Sequence, residues 1–206
     1  VPVAMRQTLD GLSQVAGIVR ALKSFAQDGD DIESLVDLTQ AIHNTVAVAR
    51  GQWASVASVD VVLDEGAKLV PGSESQINQA LLNVVVNAAQ AIAERDGKEK
   101  GIIRISTRSD QEWVEIRVSD NGVGIAEENL GRIFDPFFTT KDVGRGTGQG
   151  LAIVHTVVTR HNGQIDIESE QGIGTTFIIR LPRMIKPEKP VKQTASEPAL
   201  RLVQTS

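Results

Sequence analysis

Three groups of residues have the types and spacing to do chemistry. Asn83 and Asn87 stand at i, i+4 within Glu74–Glu94. They share a narrow polar stripe with Gln76, Gln79, Gln90 and Glu94, a sector roughly 80° wide at helical spacing. Asparagine is a middling-to-poor helix former, so the pair does not serve the helix itself. Its amide oxygens are neutral, hard ligands that can hold Mg²⁺ beside a polyphosphate without adding like charge. A solvated helix face is the competing reading.

Asp120 closes Trp113–Asp120, where Val114, Ile116 and Val118 share its side. A half-buried carboxylate needs a hydrogen-bond donor, and an adenine amino group is one. An Asp-Asn-Gly turn capping its own backbone is the alternative. Gly144, Gly146, Gly148 and Gly150 then recur at every second residue and run straight into Leu151-Ala152. Such glycines let backbone N–H groups converge on an anion, and a helix N-terminus behind them adds favourable dipole charge. The spacing fits neither G-x-G-x-x-G nor G-x-x-x-x-G-K-[ST], which excludes dinucleotide-fold and P-loop readings. A flexible linker is the alternative to an anion loop. Lys141 and Arg145 lie within reach of whatever that loop holds. Phe134, Phe137 and Phe138 read as its hydrophobic anchor.

The elements that must position these groups follow from hydrophobic spacing. Leu9, Leu12, Val15, Ala16, Val19, Leu22 and Phe25 make an amphipathic helix over 3–27, ended by Asp28-Gly29-Asp30-Asp31. Helices are predicted over about 34–50, 74–94 and 149–161, and a short strand over 59–63. Pro71-Gly72 reads as a turn. Alternation in 102–107 and 113–120 predicts a hairpin, and a second hairpin joins 164–169 to 175–181. Helices and strands are mixed rather than strictly alternating. The fold class is therefore α+β, a two-layer sandwich preceded by an N-terminal helix. Residues 183–206, with three prolines after Pro182, are predicted to be a disordered tail.

Composition narrows the functional classes. The net charge is −5, split as +3 from Arg183 onward and −8 before it. An acidic body argues against nucleic acid as a partner, because such binding depends on neutralising phosphates. Cysteine is absent, so disulfides, thiolate metal sites and cysteine nucleophiles are excluded. No apolar run approaches the ~20 residues of a membrane span, and no signal peptide is read at the start. A cytoplasmic location is expected, with the intact protein free to be membrane-attached.

The order of the motifs says more than any one of them. Asn83-x-x-x-Asn87 precedes Asp120-Asn121-Gly122-Val123-Gly124. Then follow Phe134–Lys141, Gly146-Thr147-Gly148-Gln149-Gly150-Leu151 and Gly172-Ile173-Gly174-Thr175-Thr176-Phe177. This succession, over about 37–182, resembles the N, G1, F, G2 and C-terminal glycine boxes of sensor histidine kinases. The resemblance implies an ATP-binding catalytic domain at 37–182, a linker at 28–36 and, at 1–27, the second helix of the family's dimerisation hairpin. It implies ATP and Mg²⁺ as ligands, with Asn87 on the metal and Asn83 near the phosphates. Asp120 would take the adenine amino group, with Gly122 and Gly124 giving it room. Gly146, Gly148, Gly150 and Leu151 would wrap the phosphates beside Lys141, and Thr176 would sit near the base. Gln90 departs from the family, many of whose members carry Lys or Arg there.

No phosphoacceptor histidine is recognised. His43 is followed by Asn44 rather than an acid, and His155 and His161 fall on the helix after the glycine loop. All three are expected to be surface or packing residues. The implied activity is transfer of the γ-phosphate of ATP to a histidine on a separate dimerisation helix, for onward transfer to a response regulator receiver domain. Homodimerisation through the N-terminal helix is implied as well. The alternatives are an ATPase resembling gyrase and heat-shock chaperones, or a non-catalytic nucleotide-binding module. Those ATPases carry a glutamate base one turn before the metal-binding Asn. That position here is Asn83, and an amide is no base at neutral pH.

Overall fold

The computed structural model describes residues 34–95, 99–141 and 146–183. The helix predicted over 3–27, the tail after Arg183, and Gly144 and Arg145 lie outside the described residues. The chain runs β1 (Leu35–Asp37), α1 (Leu38–Val48), α2 (Arg50–Trp53), β2 (Ala57–Val62), a 3-10 turn (Glu65–Ala67) and β3 (Leu69–Pro71). It continues through α3 (Glu74–Ala93), β4 (Gly101–Ser109), β5 (Trp113–Asp120), α4 (Glu127–Leu130), α5 (Gly150–Arg160), β6 (Gln164–Glu170) and β7 (Gly174–Pro182).

The five-stranded sheet has the order β2-β4-β5-β7-β6. β2 joins β4 in parallel, and every other pairing is antiparallel. Both predicted hairpins are present. Asp110 closes the first, its Oδ1 accepting from the backbone N–H groups of Glu112 and Trp113 at 2.8 and 2.7 Å. α1 and α5 flank α3, and α3 also packs on β4, β5 and β7. The two-layer α+β sandwich is therefore as expected.

Alternation explains how one chain makes both layers. Val114, Ile116 and Val118 of β5 and Phe177, Ile179 and Leu181 of β7 are buried. They meet Ile77, Leu81, Val84, Val85 and Ile92 from one face of α3. Each large apolar side chain buried in this way contributes roughly 1.5–3 kcal/mol. Packing thus anchors α3 by one face and leaves its polar stripe free.

The opposite sheet face is polar. There Glu115, with only 5% of its side chain exposed, is held by Arg108, Arg117 and Arg180 at 2.8–2.9 Å. Burial pushes its carboxyl up, but the three guanidiniums together outweigh that and bring it down to about 2.

The predicted helix over 34–50 starts late. Residues 35–37 instead form β1, paired antiparallel with β3. Asp37 caps α1 by accepting from Gln40 N–H at 3.1 Å, and Leu38 N–H donates to Lys68 O at 2.8 Å. The contact with Lys68 lies 30 residues away in sequence, so local spacing could not reveal it. Pro71-Gly72 is likewise not a free turn, because Pro71 ends β3 and Gly72 N–H donates to Ser34 O at 2.9 Å.

Candidate functional site

The polar stripe of α3 forms one wall of a cleft of about 310 Å³. Asn83, Asn87, Gln90 and Glu94 all line it. Among the described residues, Asn83 Nδ2 is buried with no hydrogen-bond partner. An orphaned amide donor costs about 1–3 kcal/mol unless something fills the space before it.

The second wall is the turn after β5. Gly122 N–H donates to Asp120 Oδ1 at 2.8 Å, and Val123 N–H donates to Ala91 O of α3 at 3.1 Å. Arg95, just past α3, donates from Nη1 to Asn121 O at 2.8 Å, while Asn121 Oδ1 accepts from Ile102 N–H. The turn is thus bolted to α3 at several points. Gly124 has φ +68°, and a Cβ there would stand 2.0 Å from Glu170 O. The room this glycine makes is for the protein's own backbone. Burial raises the Asp120 carboxyl to about 6, against the opposing N–H groups of Gly122 and Thr175.

The third wall is the aromatic segment and the glycine loop. Arg132 lies over the Phe138 ring at 4.6 Å, and Phe134 meets the His155 ring at 5.4 Å between centroids. Phe137 adopts φ +68°, rare for a bulky residue. Its N–H donates to Gly148 O at 2.8 Å. Gly148 itself has φ +64°, and a Cβ on it would stand 2.3 Å from Phe137 C. Two left-handed residues are locked together here, so the segment pins the loop through its backbone; of the expected hydrophobic anchor, Phe134 and Phe138 pack against the core while the Phe137 side chain is exposed. Gly150 and Leu151 open α5 at the cleft, where no side chain caps the helix. Its first N–H groups stay available for an anion.

A family model described as histidine kinase-, DNA gyrase B- and HSP90-like ATPase matches residues 72–185, which hold all of these walls. The chain belongs to this ATPase family. It is 34% identical over 196 residues to the sensor kinase CckA of Brucella abortus, covering 86% of this chain and 20% of that protein. It is 40% identical over 121 residues to the sensor histidine kinase ZraS of Escherichia coli, covering 59% and 24%. The chain thus spans about a fifth to a quarter of the length of these relatives. Among solved structures it is similar to the mycobacterial sensor histidine kinase MprB, with TM-score 0.62, 28% identity, and 73% and 97% of the two chains covered. The nucleotide-free catalytic domain of the histidine kinase ThkA gives the same values. The fold is that of the histidine kinase catalytic domain, and the family binds ATP.

Of the residues singled out in the sequence of this ATPase-family chain, Asn83, Asn87, Gly124, Lys141, Gly146, Gly148, Gly150 and Leu151 line the one cleft. Asp120 and Gly122 stand behind Val123 and Gly124, at the start of the turn that forms the second wall, and Thr176 lies on the other face of the sheet. The Asp120 side chain turns back onto Gly122 at the end of β5. Thr176 does not share a sheet face with Asp120. It pairs with Ser119 and donates to Ser119 Oγ at 2.9 Å, on the sheet face away from Asp120. Thr175 is the residue paired with Asp120; it is buried, with its hydroxyl 2.9 Å from Ser169 Oγ. Strand parity carried that signal, since Thr175 shares its side with Phe177, Ile179 and Leu181.

His43 and His155 are exposed and His161 is buried, as surface and packing residues should be. His161 does more than fill space. Its Nε2 accepts from Ser73 N–H at 3.0 Å and its Nδ1 lies 2.8 Å from Val157 O, so it ties the start of α3 to the end of α5. Burial holds it below the ordinary histidine range, against the bond to Val157. No helix among the described residues is long and apolar enough to cross a membrane.

Proposed function

We propose that this chain is the catalytic part of a sensor histidine kinase, binding Mg-ATP and passing its γ-phosphate to a histidine on a dimerisation helix. A nitrogen of that histidine attacks the γ-phosphorus, the bond to the β-phosphate bridging oxygen breaks, and ADP leaves. Little covalent chemistry falls to the protein, so positioning and charge neutralisation carry catalysis. Within the chain, residues 37–182 are the ATP-binding unit, 28–36 a linker and 1–27 a partial dimerisation helix.

The observation that supports this reading is Asn83, an amide one turn before Asn87 that lines the cleft and whose buried Nδ2 has no partner among the described residues. A donor there suits a phosphate oxygen, and an amide does not activate water. Hydrolysis should therefore be slow and the γ-phosphate kept for an incoming nucleophile. Among the described residues no three His, Cys, Asp or Glu side chains gather as a metal site. The donor set fits magnesium held by the Asn87 amide oxygen together with substrate phosphates. When bound, the ion would neutralise charge developing on the phosphates. Asp120 accepts from the adenine amino group, with the Thr175 hydroxyl beside it. Asn83, Lys141 and the N–H groups of Gly146, Gly148, Gly150 and Leu151 face the phosphates.

The partners in this reading are a histidine-bearing helix, a response regulator receiver domain and a second copy joined through the N-terminal helix. Mixing the chain with labelled Mg-ATP and a separate acceptor-helix protein should label a histidine in the acceptor. Phosphate release without acceptor at the rate of labelling would instead favour the gyrase-type ATPase. Asp120→Ala should abolish nucleotide binding, and unchanged affinity would end the adenine assignment.

A further inference from the structure

The cleft has one charge problem that α3 does not solve. A triphosphate keeps net negative charge even beside a divalent ion, yet the α3 wall presents three amides and the anion Glu94. Among the described residues lining the cleft, Lys141 is the only cation and Glu94 the only anion. Lys141 enters from the facing wall, directly after the pinned aromatic segment, with its backbone N–H on Thr139 Oγ1 at 3.2 Å. Its side chain is only 17% exposed and crosses the cleft. The ammonium donates to Gln90 Oε1 at 2.5 Å and lies 4.0 Å from Glu94 Oε1.

These two acceptors are one turn apart on the stripe that also carries Asn83 and Asn87. Among the described residues the ammonium rests on one neutral oxygen and one carboxylate at the edge of contact, and burial holds Lys141 below the ordinary lysine range despite Glu94. A polyphosphate oxygen in the same space would be a stronger acceptor than an amide, because it meets the ammonium with a full opposite charge where the amide offers only a dipole.

Resting on the ATP reading above, we propose that Lys141 is the cation that selects polyphosphate in this cleft, and that Gln90 and Glu94 are its resting cradle. Lys141 leaves Gln90 for the phosphate chain when nucleotide enters, and Glu94 competes with the phosphates for the same ammonium. The charge that α3 lacks is supplied from across the cleft, so moving it onto α3 should restore function.

Calorimetric titration with a non-hydrolysable Mg-ATP analogue and, separately, with AMP tests this. Lys141→Ala should weaken the triphosphate by about 10- to 100-fold, the loss expected for one charge-assisted hydrogen bond, and leave AMP within about twofold. Adding Gln90→Lys to Lys141→Ala should recover most of that loss. Glu94→Gln alone should tighten the triphosphate severalfold. Equal losses for both ligands would make Lys141 a mere loop anchor and overturn the assignment, as would unchanged triphosphate affinity or a double variant no better than the single one. A wild-type chain that binds neither ligand would overturn the ATP reading, and the Lys141 assignment with it. Lys141→Arg guards against a folding defect and should keep the triphosphate preference.

Discussion

Asp120 should make nucleotide affinity fall steeply with acidification. Its carboxyl is raised from 3.8 to about 6, burial being the main cause. That displacement corresponds to about 3 kcal/mol against the ionised form. An adenine amino group supplies the missing donor and favours ionisation, so binding and deprotonation are coupled. Affinity for an ATP analogue should be flat above about pH 6 and drop about tenfold per pH unit below it, levelling near pH 4. The phosphates of the ligand titrate in the same range, so the decisive quantity is the ratio of wild type to Asp120→Asn, which cannot ionise.

The same group has the opposite consequence for the nucleotide-free fold. A raised carboxyl contributes stability that is complete below about pH 4 and lost as pH rises through about 6. At pH 7 Asp120→Asn should therefore be the more stable protein. The amide keeps an acceptor for Gly122 N–H but not a second one for Thr175 N–H, so roughly half of the 3 kcal/mol returns. A gain of about 1–2 kcal/mol raises the Tm by about 3–6 °C. Thermal unfolding at pH 7 and calorimetric titration from pH 5 to 8 measure both effects. A variant that loses stability at pH 7, or that keeps the wild-type pH slope in binding, refutes the reasoning.

Three further outcomes follow from the geometry. Gly124→Ala must take φ +68° and place a Cβ 2.0 Å from Glu170 O; it should cost about 2–4 kcal/mol in denaturant unfolding, and a loss under 0.5 kcal/mol would show that the turn simply shifts. His161→Ala leaves Ser73 N–H buried and unpaired, for about 2–3 kcal/mol. Because burial lowers His161 from 6.5, its stabilisation is complete above that value and lost as pH falls below it, and the variant should lose this acid sensitivity in melts across pH 5–7. Glu115→Ala removes the carboxylate that three guanidiniums share. Solvent screening of the exposed arginines limits the loss to about 1–2 kcal/mol at pH 7, and the gap to wild type should close as pH falls from about 4.5 toward 2.

The amino-acid sequence by itself determined everything that depends on neighbours along the chain. Period-two alternation in 113–120 and 175–181 set two core strands, and helical spacing in 74–94 set the element that carries Asn83 and Asn87. Glycines at 122, 124, 146, 148 and 150 marked where backbone must pass close to something, and their order named the family. Only the tertiary structure decided matters that turn on residues distant in sequence. β1 exists because β3 lies beside it, and α1 starts at Leu38 because Lys68 accepts its N–H. Thr175 rather than Thr176 joins Asp120 because of the β5–β7 register, which fixes which side each hydroxyl takes. Lys141 meets Gln90 across 51 residues of chain, and His161 reaches Ser73 across 88. Hydrophobic periodicity reports which face of an element is buried; it does not report what the polar face meets, because that is set by how the layers stack.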